Sequence, residues 1–145
     1  MSRWSVLFAA IAVSVACVTV SVADAQGQKQ LQGTWQVLAA QRNARAANDL
    51  QSHRLTFAGD RFTIRSQGGV VYQGTYRIDT SQKPATIDFK HTAGKAKGQM
   101  WRGIYETDGD TLRICDNAED VSKPRPTAFV SEPGLVLLDF KRAKP

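Results

Sequence analysis

The sequence predicts an all-β fold: a single antiparallel up-and-down barrel of about eight strands. Three observations carry that prediction. Apolar residues alternate with polar ones, the strand period, through most of the chain after residue 30. Turn signals built from Gly, Asp, Asn and Pro separate the alternating runs at roughly ten-residue spacing. No stretch has the length and periodicity of a long helix, and no internal repeat appears. Short sequential hairpins make the meander the simplest topology, and closing it removes the exposed edges; an open sandwich is the alternative.

The elements follow in order. A first strand is expected over 33–41, with Trp35, Val37 and Ala39 on one face. The polar, alanine-rich stretch 43–52 has room for one helical turn at 46–50. Strands at 54–57 and 61–65 form a hairpin about Ala58-Gly59-Asp60 and put Leu55, Phe57, Phe62 and Ile64 on one side. Gln67-Gly68-Gly69 turns the chain into 70–79, where Val70, Tyr72, Tyr76 and Ile78 share a face opposite Gln73, Thr75 and Arg77. In the strand at 86–91, Ile87 and Phe89 alternate with Thr86, Asp88 and Lys90. A Gly/Lys loop at 93–98 leads to a strand at 100–106. Asp108-Gly109-Asp110 is a strong hairpin turn into a strand at 111–115, with Leu112 and Ile114 on one face. A polar loop, 116–126, and a last strand, 135–142, complete the set.

A different composition precedes the barrel. Arg3 is followed by an apolar run from Val6 to Val22 and by Ala23-Asp24-Ala25, a small-x-small cleavage signal. This is the pattern of a secretory signal peptide. The expected organisation is a signal peptide at 1–25, a flexible lead at 26–30 and the barrel at 31–145. Export to the periplasm or the exterior follows, with no transmembrane segment after cleavage. A lipid anchor at Cys17 is disfavoured, because Ser14-Val15-Ala16 is a poor lipobox and the apolar run continues past the cysteine. Cleavage leaves 120 of the 145 residues, enough to bury a core without a metal or disulfide. One cysteine then remains, Cys115, expected as a core thiol.

The net charge is +6. The leader carries Arg3 and Asp24 in equal number, so this excess stays with the barrel. It favours anionic surfaces. The basic residues are spread and lack interleaved exposed aromatics, so nucleic acid is not an expected partner. Arg61, Arg65, Arg77, Lys90, Arg113 and Lys141 all fall on the outward parity.

Catalytic patterns are missing. His53 and His91 have no second ligand nearby in sequence, and no zinc spacing surrounds Cys115. No serine lies in a nucleophile elbow. Asp108 and Asp110 are explained by their turn, and Glu119 and Asp120 lie in a loop. Neither enzymatic activity nor a cofactor or metal is expected. His91 shares the parity of Ile87 and Phe89 and is expected to point inward. The expected barrel lining is Phe57, Phe62, Tyr72, Tyr76, Phe89, His91, Trp101 and Tyr105, joined by Ile87 and Phe140. Gly33 and Trp35 open the first strand and are expected to close the barrel base, with Arg142 as a cation–π cap on the indole.

The segments L-Q-G-T-W-Q-V (31–37), L-T-F-A-G-D-R-F-T-I (55–64) and G-T-Y-R-I-D (74–79) carry a family resemblance. So do K-P-A-T-I-D-F (83–89), G-I-Y-E-T-D-G-D-T-L-R-I-C (103–115), R-P-T-A-F (125–129) and D-F-K-R (139–142). In this order they resemble a family of short exported bacterial proteins of planctomycete type, functionally uncharacterised. Gly-x-Trp at the first strand is similar to the lipocalin and wider calycin hallmark. The resemblance implies a lipocalin-like barrel and no activity; Trp35 carries over only as a barrel-closing residue. Two function classes lead, ahead of an enzyme using Cys115 or His91, the least supported. One is a monomeric binding module for a small apolar or amphipathic ligand. The other is a solid barrel that binds a protein or an anionic envelope polymer through its basic exterior.

Overall fold

The computed structural model describes residues 9–15 and 20–144. Much of the expected leader, Cys17 included, lies outside the described residues.

Period-two patterning becomes nine strands: β1 (Gly33–Arg42), β2 (Arg45–Ala46), β3 (Arg54–Ala58), β4 (Arg61–Ser66), β5 (Gly69–Asp79), β6 (Thr86–Gly94), β7 (Met100–Asp108), β8 (Thr111–Asp116) and β9 (Val136–Arg142). Each pairs antiparallel with the next along the order β2-β1-β3-β4-β5-β6-β7-β8-β9, and β9 pairs back onto β1. The result is a closed eight-strand meander barrel with β2 as a short extra flap on β1. The helical turn expected at 46–50 is a 3-10 turn, Asn48–Leu50, after that flap.

Bulges correct two expected facings. β1 shifts register between Val37 and Ala39. Leu38 is therefore expelled to 54% exposure, Ala39 faces out, and Ala40 takes the buried position. The extra residue reverses the side-chain alternation beyond it. On β4–β5 the register shifts between Ile64 and Arg65, so Val70 lies opposite outward-facing Arg65 and is exposed instead of sharing the face of Tyr72. A further bulge between Gln73 and Gly74 brings β6 close to β5; a Cβ on Gly74 would fall 1.8 Å from the Lys90 carbonyl oxygen.

Residues 26–30, expected as a flexible lead, are helical. They form the second half of α1 (Val22–Leu31). Ser21 caps the helix by accepting from the Asp24 N–H at 3.0 Å. The helix lies across the barrel base, with Leu31 fully buried and Gly27 against Ile78, Thr80 and Tyr105. Asp24 Oδ1 accepts from the Thr80 N–H and hydroxyl at 2.8 and 2.6 Å. At the other end of α1, chain carbonyls left without helical partners are satisfied from the barrel. The Trp35 indole N–H donates to Leu31 O at 2.9 Å, and Arg142 donates to Gln32 O at 2.7 Å and Gln30 O at 2.9 Å.

The core lies within the barrel, with a smaller apolar cluster outside it. There Ile104, Cys115 and Leu135 pack with Phe129 and Leu137, where the segment between β8 and β9 returns over the sheet. Buried Asn117 anchors that segment: its carbonyl accepts the Arg102 N–H at 2.9 Å, and its amide donates to Lys123 O at 2.7 Å. Arg125 adds a 2.8 Å bond to Gly103 O and a 2.7 Å ion pair with Asp88.

Candidate functional site

The barrel interior is filled at one end and hollow at the other. Alternation along β3–β7 points large rings inward, and they pack edge to face from the base upward. Phe57 meets Tyr76 at 4.6 Å between centroids, Phe62 meets Phe89 at 4.9 Å, and Tyr72 meets Trp101 at 4.9 Å. Beyond this column, at the end away from α1, lies a cavity of about 110 Å³. Tyr72, Phe89 and Trp101 line it from β5–β7, and Val37, Ile114, Leu138 and Phe140 from β1, β8 and β9. Arg42, Leu50, His53, Arg54 and Glu119 stand at its rim.

One carboxyl belongs to the wall. Asp116 ends β8, continues the inward parity of Leu112 and Ile114, and is 4% exposed. Its Oδ1 accepts from the Ala118 N–H at 3.1 Å, the one side-chain hydrogen bond it makes among the described residues. Burial pushes its pKa up to about 7, against the downward pull of the Ala118 bond and with a smaller upward push from Glu119. The rim guanidinium is already committed. Arg42 Nε stands 2.6 Å from Glu119 Oε1, and Arg42 Nη2 stands 3.1 Å from Asp49 Oδ2. Arg54 donates to Gln36 Oε1 at 2.8 Å. His53 Nδ1 is buried without a hydrogen-bond partner.

Of the eight side chains expected to line the barrel, Tyr72, Phe89 and Trp101 border the cavity. Phe57, Phe62, Tyr76, His91 and Tyr105 are buried but do not border it. Tyr76 serves the base, where its hydroxyl donates to Gly59 O at 2.8 Å and accepts from Gln32 Nε2 at 2.9 Å. Tyr105 faces Gly27 of α1, and burial pushes its phenol up to about 12. His91 is 2% exposed, packed 4.0 Å from the Trp101 ring and 5.2 Å from Phe62, with both ring nitrogens unpartnered. Burial lowers its pKa to about 4, so the imidazole is neutral. The three closure residues meet at the base: Arg142 Cζ lies 4.2 Å from the Trp35 ring centroid, and Gly33 has φ +110° beside Arg142 Nη1. From the sequence, Asp116, His53 and Arg42 are not expected at the cavity: His53 is weighed only as a metal ligand and Asp116 only as a loop residue. Only Asp116 left a signal, the i, i+2, i+4 parity of Leu112, Ile114 and Asp116.

Cys115 is a free, fully buried thiol in the outer cluster. Burial pushes its pKa up to about 11, the reverse of an activated nucleophile. Among the described residues, no three His, Cys, Asp or Glu side chains gather as metal ligands, and no helix is long and apolar enough to cross a membrane. The chain matches no family model, no curated protein and no solved structure.

Proposed function

We propose that this chain is an exported, non-catalytic, lipocalin-like binding protein that holds one small amphipathic molecule in the open half of its barrel. The observation that carries the reading is the cavity: apolar rings and aliphatic side chains around a single buried carboxyl, with a charged rim. Apolar walls with a few placed polar groups are the usual make-up of a small-molecule site. Its volume sets the ligand's size. An apolar cavity of about 150 Å³ holds benzene, so this smaller one of about 110 Å³ encloses at most about one six-membered ring, and a polar end reaches the rim. A long-chain lipid does not fit beneath the aromatic column. Export rests on the apolar run and the Ala23-Asp24-Ala25 signal. Native mass spectrometry of protein purified gently from its own host's envelope tests the reading. A mass excess of roughly one hundred daltons, lost on denaturation and absent from a cavity-filling Leu138→Trp variant, is the expected result. A bare polypeptide mass that also fails to take up small aromatic probes contradicts it.

A second reading has its own observation. The outer face of β3–β6 carries Arg54, Arg61, Arg65, Arg77 and Lys90, all exposed and without ion pairs among the described residues. Arg54 lies directly opposite Arg65, and Thr75 lies between Arg61 and Lys90. Asp88, opposite Arg77, is taken by Arg125. Such a face suits an anionic polymer, with retention that falls steeply with salt. Arg113 contributes less, because Glu106 and Asp139 neutralise it.

A further inference from the structure

We infer that the cavity selects a small organic cation, an amine whose apolar body lies against Trp101 and Tyr72 and whose ammonium group faces Asp116. The inference rests on the cavity reading and adds the ligand's charge. The charged and titratable groups that line the cavity with Asp116 are Arg42 from β1, His53 just before β3, Arg54 at its start, Tyr72 from β5 and Glu119 from the segment after β8. A carboxylate ligand would need a guanidinium. Arg42 is held by two acids, and Arg54 stands on the outward parity of β3 and donates to Gln36. Above about pH 7, a neutral ligand would leave the Asp116 carboxylate buried with one hydrogen bond among the described residues, beside a guanidinium already shared by two other acids, a costly state. An ammonium group supplies both the charge and the donors.

The test is titration of the full chain with benzylamine, benzyl alcohol and benzoate, followed by tryptophan fluorescence. The three probes share a ring and differ in charge. At pH 8 benzylamine is expected to bind at least about tenfold more tightly than benzyl alcohol, and benzoate most weakly. In Asp116→Asn the amine and the alcohol are expected to bind alike. In the wild-type chain, benzylamine affinity rises about tenfold from pH 6 to pH 8 as Asp116 ionises, which keeps the test open if the variant misfolds. Equal binding of amine and alcohol would leave the cavity reading standing and overturn the inference. Tighter binding of benzoate overturns it too. A pH dependence that survives in Asp116→Asn removes Asp116 from the assignment. Failure of all three probes to bind counts against the cavity reading itself, and the inference goes with it.

Discussion

The Arg142 guanidinium sits 4.2 Å from the centroid of the Trp35 ring while donating to two carbonyls of the α1 terminus, Gln30 and Gln32. The indole N–H takes the third, Leu31. One strand end thus closes the barrel base and terminates the helix that covers it. Arg142→Ala is expected to cost about 2–4 kcal/mol in urea unfolding, from two charge-assisted hydrogen bonds and a cation–π contact. Arg142→Lys recovers a minor part, since a single ammonium group cannot reproduce the planar fork. Wild-type stability in the alanine variant contradicts this account of the base.

The same helix makes a prediction about processing. Cleavage after Ala25, if the expected leader is removed, would take away the Ser21 cap and Asp24 with both of its Thr80 bonds. A chain beginning at Gln26 is therefore expected to unfold at a lower temperature than one beginning at Val20. Thr80→Val in the longer chain should reproduce part of the difference. Equal midpoints by calorimetry would mean that the first turn of α1 adds nothing to the base.

Two buried groups titrate in opposition. Asp116 is raised to about 7 from 3.8, so between those values the folded state binds the extra proton. Stability falls as pH rises through that window, by about 4 kcal/mol in all. His91 is lowered to about 4 from 6.5, so there the unfolded state binds the extra proton. Stability rises with pH across that range, by about 3 kcal/mol. The two slopes offset one another between about pH 4 and 6.5. Asp116→Asn is expected to expose the His91 slope: urea midpoints that climb with pH through this range, where those of the wild type stay nearly flat. A flat profile in the variant contradicts the assignment.

Cys115 should behave as packing. Its buried thiol, held high in pKa and 3.5 Å from Val130 O, is expected to react with a disulfide reagent only as fast as the outer cluster opens. Reaction of the native protein at the rate of a free thiol would contradict the burial.

The barrel was legible because turns such as Asp108-Gly109-Asp110 and alternations such as Leu55/Phe57 against Phe62/Ile64 are local signals. The bulges were not. Nothing around Leu38 or Val70 marks an inserted residue, because a bulge is chosen by how two strands curve together. α1 was missed because its composition is polar and contains Gly27, and its stability comes from docking on the base and not from propensity. The aromatic lining was assigned to the correct face, but parity says nothing about how far along a strand the packing ends. So Phe57 and Tyr76 could not be separated from Tyr72 and Trp101. Asp116 was read as the start of a polar loop although its parity continues that of Ile114.

Amide chemical-shift mapping during a benzylamine titration tests the central claim most directly. Binding in the open half of the barrel predicts shifts concentrated at Tyr72, Trp101, Asp116 and Val136, in fast or intermediate exchange, and their loss in Leu138→Trp. Shifts confined to the outer face of β3–β6, or none up to millimolar probe, would contradict it.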